Sequence, residues 1–183
     1  WEDFPASGSL DRELDDSDDE QTVYYQIKDK VGRESEVLSD AITLDRSLPT
    51  GTLVINDPEE DSDGVTKTRD LTLTLTGNDD TSGLDQMRFS QDGGETWTDW
   101  KAFEEEASLS LEGGDGAKTV TLELRDKAGN VSDPIEDEIT LDLEAPTATL
   151  TSGVLSSRGA YTLDYTVTDT VDGNENVEEK IVL

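Results

Sequence analysis

An internal repeat constrains this chain more than any other feature. QIKDKVG at 26–32 answers ELRDKAG at 123–129, ITLD at 42–45 answers ITLD at 139–142, and Pro49-Thr50 answers Pro146-Thr147, all at one offset of 97 residues. A fixed period of this kind means that each copy is one structural unit built like its neighbours. Backwards, Trp1-Glu-Asp-Phe4 corresponds to Trp97-Thr-Asp-Trp100 at offset 96, a one-residue slip that a loop absorbs. Forwards, YTLDYTVTDTVDG at 161–173 answers LTLTLTGNDDTSG at 71–83 at offset 90, after a loop seven residues shorter. The expected division is the back part of one unit at 1–46, a complete unit at 47–143, and the front part of a third at 144–183. Two readings fit the terminal parts: a window through a longer array, or halves that complete each other between neighbouring molecules.

Inside the complete unit, apolar and polar residues alternate with period 2, as strands with one buried face require. Leu71, Leu73 and Leu75 fall on one face against Thr72, Thr74 and Thr76; Val120, Leu122 and Leu124 oppose Thr121, Glu123 and Arg125. Val23, Tyr25 and Ile27 take the places of Val120, Leu122 and Leu124 in the first unit. Turn residues punctuate these runs at Asp92-Gly-Gly, Gly113-Gly-Asp-Gly and Ala128-Gly-Asn, where glycine supplies backbone angles that other residues resist. The pattern predicts about seven strands, at 51–56, 69–77, 85–91, 96–103, 107–111, 118–126 and 135–142, folded as an all-β antiparallel two-sheet sandwich. Met87, Phe89, Trp97 and Trp100 are the expected large core or sheet-face residues, each contributing about 2 kcal/mol on burial.

Charge narrows the partners. The 183 residues carry 45 acidic against 14 basic side chains and no histidine, a formal net charge of -31, which opposes nucleic acid and anionic membrane alike. Cations are the natural counterpart. The alternation between the acidic stretches argues against disorder and leaves two explanations of the acidity, a high-salt habitat or carboxylates that gather Ca²⁺. Cysteine is absent, so disulfides and thiolate metal sites are excluded, and the redox compartment is left open. No apolar run reaches the roughly 18 residues of a membrane span. WEDFPASG at the start has neither a basic nor an apolar stretch, so any export signal of a parent protein is expected outside this segment.

With these residues in view, the pattern SGLDQMRFSQDGGETWTDW, GGDGAKTVTLELRDKAGNVS and ITLDLEAPT resembles the tandem bacterial and archaeal immunoglobulin-like domains of large surface proteins. The DGG-x-W turn, the DG-x-KTV strand, the DKAGN hairpin and the TLD-x-x-xPT linker carry the likeness, which covers the whole chain. The resemblance implies spacers, stalks and adhesive arrays, located outside the cell or at its surface, often rigidified by Ca²⁺ between domains. It also implies neighbouring immunoglobulin-like repeats as partners, in the same or adjacent chains, with cell-surface or glycan ligands as a further class.

In such a sandwich the last strand ends where loops of the next domain face back, so carboxylates from both sides can meet. The expected residues at the first junction are Asp45, Asp79 and Asp80 with Asp126 and Asn130; at the second they are Asp142, Glu144, Asp169 and Asp172. Ca²⁺ takes roughly six to eight oxygen ligands, which acidic loops and carbonyls supply. The same Asp and Asn side chains also build turns by bonding their own backbone, and the residues alone do not choose between these roles. DPEEDSDG at 57–64 and DDSDDE at 15–20 lack the glutamate and spacing of a Ca²⁺-binding helix-loop-helix and read as solvated charged loops.

An enzyme is the poorest reading, because no histidine or cysteine exists to act as base or nucleophile. A carboxylate pair would still need a cleft that a small sandwich rarely offers. Trp1, Trp97 and Trp100 raise carbohydrate binding as a competing class, although a tryptophan recurring in successive copies fits packing better than a ligand platform. The function expected is mechanical and spatial: a stalk, filament or coat segment, with an adhesin module or the spacer of a secreted enzyme as alternatives.

Overall fold

The computed structural model describes residues 9, 11, 13–56, 64–154, 162–169 and 171. Three strand groups follow one another along the chain: the hairpin β1 (Asp19–Tyr25) and β2 (Leu38–Leu44); a sandwich of eight strands; and the hairpin β11 (Thr147–Val154) and β12 (Thr162–Thr168). No helix is present among the described residues, and so none is long and apolar enough to cross a membrane.

The sandwich opposes two sheets. One holds β3 (Thr50–Asn56), β5 (Asp70–Asn78) and β8 (Glu106–Ser110) in the order β3-β5-β8. The other runs β4-β10-β9-β6-β7, from β4 (Val65–Thr66), β6 (Leu84–Ser90), β7 (Lys101–Ala102), β9 (Gly116–Asp126) and β10 (Ile135–Leu141). All pairings are antiparallel except the two-residue β4 against β10. Leucines 71, 73 and 75 of β5 face Val120, Leu122 and Leu124 of β9 across a core completed by Met87, Phe89, Ile139 and Leu141. Period-2 alternation is what lets every second side chain leave water while the strands keep their ladders.

Two departures from the sequence reading have local causes. The expected strand at 96–103 shrinks to β7, because the segment before it is bound by side chains instead of a ladder. Asp92 accepts from Thr96 N at 2.8 Å and from its hydroxyl at 2.5 Å, and Phe89 N donates to Thr98 Oγ1 at 3.0 Å while Thr98 N donates to Phe89 O at 2.9 Å. Thr121, expected outward, is buried: it lies on the central strand of the larger sheet between Ser90 and Glu136. Trp97 and Trp100 stay half-buried on that sheet's outer face. There the Arg88 guanidinium sits 4.5 Å from both ring centroids and Arg125 lies 4.5 Å from Trp100. Arg88 also pairs with Glu123 at 2.6 Å. Trp1 lies outside the described residues.

The flanking hairpins reproduce pieces of the sandwich. All seven residue pairs of β1–β2, from Asp19 with Leu44 to Tyr25 with Leu38, become the seven pairs of β9–β10 when 97 is added to each number. The bridge of Lys28 with Glu34 maps in the same way onto Arg125 with Val131. In β11–β12, the pairs Thr147–Thr168 to Leu150–Tyr165 match Thr50–Asn78 to Leu53–Leu75 of β3–β5, before a bulge beyond Leu150 breaks the register.

Candidate functional site

At the N-terminal end of the sandwich, three segments converge. ITLD ends strand β2 and delivers Asp45; the turn after β5 delivers Asp79; the last residue of β9 is Asp126. One carboxylate oxygen from each lies within 4.8 Å of the other two. Asp126 is 1% exposed and Asp45 8%, so three formal negative charges share a poorly hydrated space. Like charges at this separation repel by on the order of a few kcal/mol per pair at protein-like dielectric.

Donors from the surrounding turns hold each carboxylate. Asp45 Oδ1 accepts from Ser47 N at 3.0 Å and its hydroxyl at 2.6 Å, and Oδ2 accepts from Ser82 N at 3.1 Å. These bonds, the Ser47 hydroxyl first and Ser82 next, hold the Asp45 carboxyl below the usual carboxylate range. Asp79 Oδ1 accepts from Ser82 N at 3.0 Å and Gly83 N at 2.7 Å. Asp126 Oδ1 accepts from Gly129 N at 2.6 Å and Asn130 N at 2.8 Å, across a turn whose Gly129 has φ of 101°. Turn-building and convergence are therefore both present in the same aspartates.

Two observations bear on what the cluster can hold. Among the described residues, Asp79 Oδ2 is the buried side-chain oxygen or nitrogen without a hydrogen-bond partner, an expensive state for a carboxylate oxygen. No lysine or arginine of the described residues forms an ion pair with any of the three. The donor set is oxygen alone, which suits a hard divalent cation.

The other residues proposed from sequence are placed as follows. Asn130 joins the cluster through its amide nitrogen, which donates to Asp126 Oδ2 at 2.8 Å and to Asp45 O at 3.1 Å, tying linker to hairpin. Asp80 is exposed and accepts from Asn78 Nδ2 at 2.8 Å; it is not in the group. Asp142 Oδ1 accepts from Glu144 N at 3.0 Å, the counterpart of the Asp45–Ser47 turn, and Asp169 Oδ1 accepts from Val171 N at 3.1 Å. Among the described residues these last three carboxylates form no group like that of Asp45. Asp172 lies outside the described residues, as does most of the acidic run at 57–64. Ser47 and Ser82, which fix the cluster's oxygens, are not among the expected site residues; a serine two residues after Asp45 and three after Asp79 is the signal that points to them.

Asp29 and Arg33 show a second version of this corner. Asp29 occupies the place of Asp126 and Arg33 that of Asn130 at the 97-residue offset, with equivalent backbone bonds. Here the guanidinium Nε donates to Asp29 Oδ2 at 2.8 Å, where in the sandwich an amide does. The backbone and then the side chain of Arg33 hold the Asp29 carboxyl below its ordinary range.

The architecture is that of an immunoglobulin-like β-sandwich. No protein-family model and no curated protein matches the sequence. Among solved structures, the chain is similar to the PKD1 domain of Vibrio anguillarum Epp, at 14% identity and a TM-score of 0.38 over 55% of this chain and 100% of that one. It is similar to the fibronectin(III)-like modules of Clostridium thermocellum CbhA, at 17% identity and a TM-score of 0.36 over 61% and 55% of the two chains. A third is a Ca²⁺-stabilized adhesin that helps an Antarctic bacterium reach out and bind ice, at 19% identity and a TM-score of 0.34, covering 73% of this chain and 35% of that one.

Proposed function

We propose that the chain is a non-catalytic structural segment of a tandem immunoglobulin-like array in a secreted or surface-displayed protein, its units divided at 1–46, 47–143 and 144–183. Ca²⁺ held by Asp45, Asp79 and Asp126 stiffens the junction between successive units. The observation that carries this reading is the acidic cluster itself: a residue of the connecting segment meets two loops of the sandwich through two buried carboxylates and one half-buried one that no described basic side chain neutralises. A divalent cation removes the repulsion, satisfies Asp79 Oδ2 and ties three segments together, adding to the bonds that Ser82 and Asn130 already make to Asp45. The constant register of β1–β2 and β9–β10 supports the division into units. A glycan platform has less support, because guanidinium groups lie over both Trp97 and Trp100.

Calorimetric titration of EGTA-treated protein tests the reading. Ca²⁺ should bind, raise the unfolding temperature as a ligand of the native state does, and lengthen the particle in small-angle scattering. No heat and no stabilisation at millimolar Ca²⁺ would sink it; unchanged scattering on binding would remove the stiffening role.

A further inference from the structure

The acidic run at 15–20, expected to be a solvated loop, has a partner in the segment that joins two units. Arg46 Nε donates to Asp18 Oδ1 at 3.1 Å and Nη1 to Asp16 Oδ1 at 3.3 Å, and Nη2 donates to the Asp16 carbonyl. One loop thus fills the guanidinium fork, whose fixed geometry suits grouped acceptors. The loop is itself pinned to β1 through Gln21, whose side chain accepts from Asp15 N at 2.7 Å and donates to Asp15 O at 2.7 Å and Ser17 O at 3.0 Å. Asp18 is the firmer anchor, its side chain 32% exposed where that of Asp16 is 100%.

The residue before Arg46 is held from the other side. Asp45 accepts from Ser82 N at 3.1 Å through Oδ2 and from Asn130 Nδ2 at 3.1 Å through its carbonyl. Successive linker residues are therefore fastened to opposite neighbours, Asp45 to the sandwich and Arg46 to the loop before β1. The repeat shows this arrangement to be particular to one linker. At the 97-residue offset Arg46 becomes Leu143 and Asp16 becomes Gly113, so the residues that make the fork contacts are not repeated in the linker after β10.

We infer that Arg46 is a positioning residue of the first junction: it clamps the linker to the preceding unit while Asp45 holds it to the following one, so that stiffness gained at the aspartate cluster reaches both. A single exposed ion pair holds little. A fork that reaches two side chains and a carbonyl of one pinned loop, one residue away from a second anchor, restrains the direction of the linker as well as its position. The clamp stands on the Arg46 contacts alone, and its mechanical consequence rests on the Ca²⁺ junction proposed above.

Trypsin must draw an arginine side chain into its own pocket to cut, so the rate of cleavage between Arg46 and Ser47 in the full chain tests the clamp. In EGTA and low salt, the double variant Asp16→Ala, Asp18→Ala should be cut there roughly tenfold faster than wild type, and the ratio should fall towards one at about 1 M salt, where the screening length is about 3 Å. Equal rates, or a ratio that salt leaves unchanged, would overturn the clamp. For the mechanical role, Arg46→Gln saturated with Ca²⁺ should bind the ion no more weakly than wild type in calorimetry, yet lose the Ca²⁺-induced lengthening in small-angle scattering. A variant that lengthens as fully as wild type would overturn that role while leaving the Ca²⁺ reading intact. A wild type that binds no Ca²⁺ would overturn the Ca²⁺ reading and with it the mechanical role, and the cleavage ratio in EGTA would still decide the clamp.

Discussion

Arg33 and Asn130 occupy one position in two copies of the same turn and do different chemistry there. Each bonds the second oxygen of its aspartate, at 2.8 Å in both cases, but Arg33 brings a positive charge and Asn130 none. A turn that carries its own guanidinium has less need of a bound cation, since the fork neutralises the carboxylate directly. Asn130→Arg should therefore raise the stability of the Ca²⁺-free protein and weaken Ca²⁺ binding at least tenfold, measured by calorimetry and thermal unfolding. Wild-type affinity in that variant would show that the cation does not sit beside Asn130. Asp92 gives the acid-side prediction. Its carboxyl is held at about 2 by the Thr96 hydroxyl, the Thr96 amide and the Ser90 hydroxyl. Because the folded value is below the unfolded one, this contribution is complete above about pH 4 and is lost as pH falls through about 2; Asp45 shifts in the same direction. Asp92→Asn should lower the urea midpoint at pH 7, with the difference from wild type closing towards about pH 2. A gap that is constant with pH would assign the loss to packing.

At the scale of elements, the end of the sandwich under the acidic cluster depends on a pair of glycines. Gly51 and Gly77 face each other across β3 and β5. A Cβ on Gly51 would overlap the Thr76 carbonyl oxygen, and one on Gly77 would meet Leu84, Leu124 and Phe103. Gly51→Ala should destabilise the protein by about 1–3 kcal/mol, the usual cost of overpacking, seen as a lower denaturant midpoint at an unchanged slope. A neutral result would mean that β3 shifts without penalty. The strands around this pair show what alternation can and cannot reveal. β5 reads cleanly, because its inner residues are all leucine, whereas β9 reads so only at Val120, Leu122 and Leu124, with Thr121 and Asp126 buried as well. β4 escaped notice, since a two-residue parallel strand has no period; it is held by Thr140 N to Gly64 O at 3.0 Å and Asp142 N to Thr66 O at 2.9 Å. The stretch before β7 looked like a strand by its tryptophans, whose rings instead stack with Arg88 and Arg125 on the outer face.

For the whole molecule, the acidity that excludes anionic partners is distributed unevenly in its consequences. Most of the described carboxylates are exposed and cost little, whereas Asp45, Asp79 and Asp126 lie close together with two of the three buried, so one small region concentrates the electrostatic penalty among the described residues. On the function proposed above, that concentration makes the junction the place where added Ca²⁺ should act on shape. The 97-residue offset was visible in the sequence because equal units need equal turn and core residues at equal spacing. It foretold an all-β antiparallel sandwich and the inward leucines and valines of β5 and β9, and it placed Asp45, Asp79 and Asp126 among the candidate ligands. Only the tertiary structure decided that these three carboxylates converge while Asp80 turns away, that Asn130 acts through its nitrogen, and that Asp79 Oδ2 is left without a donor. Period and spacing are one-dimensional and record which face a side chain takes. Which oxygen meets which donor across segments 34 to 81 residues apart in the chain depends on how two sheets and a linker close in space.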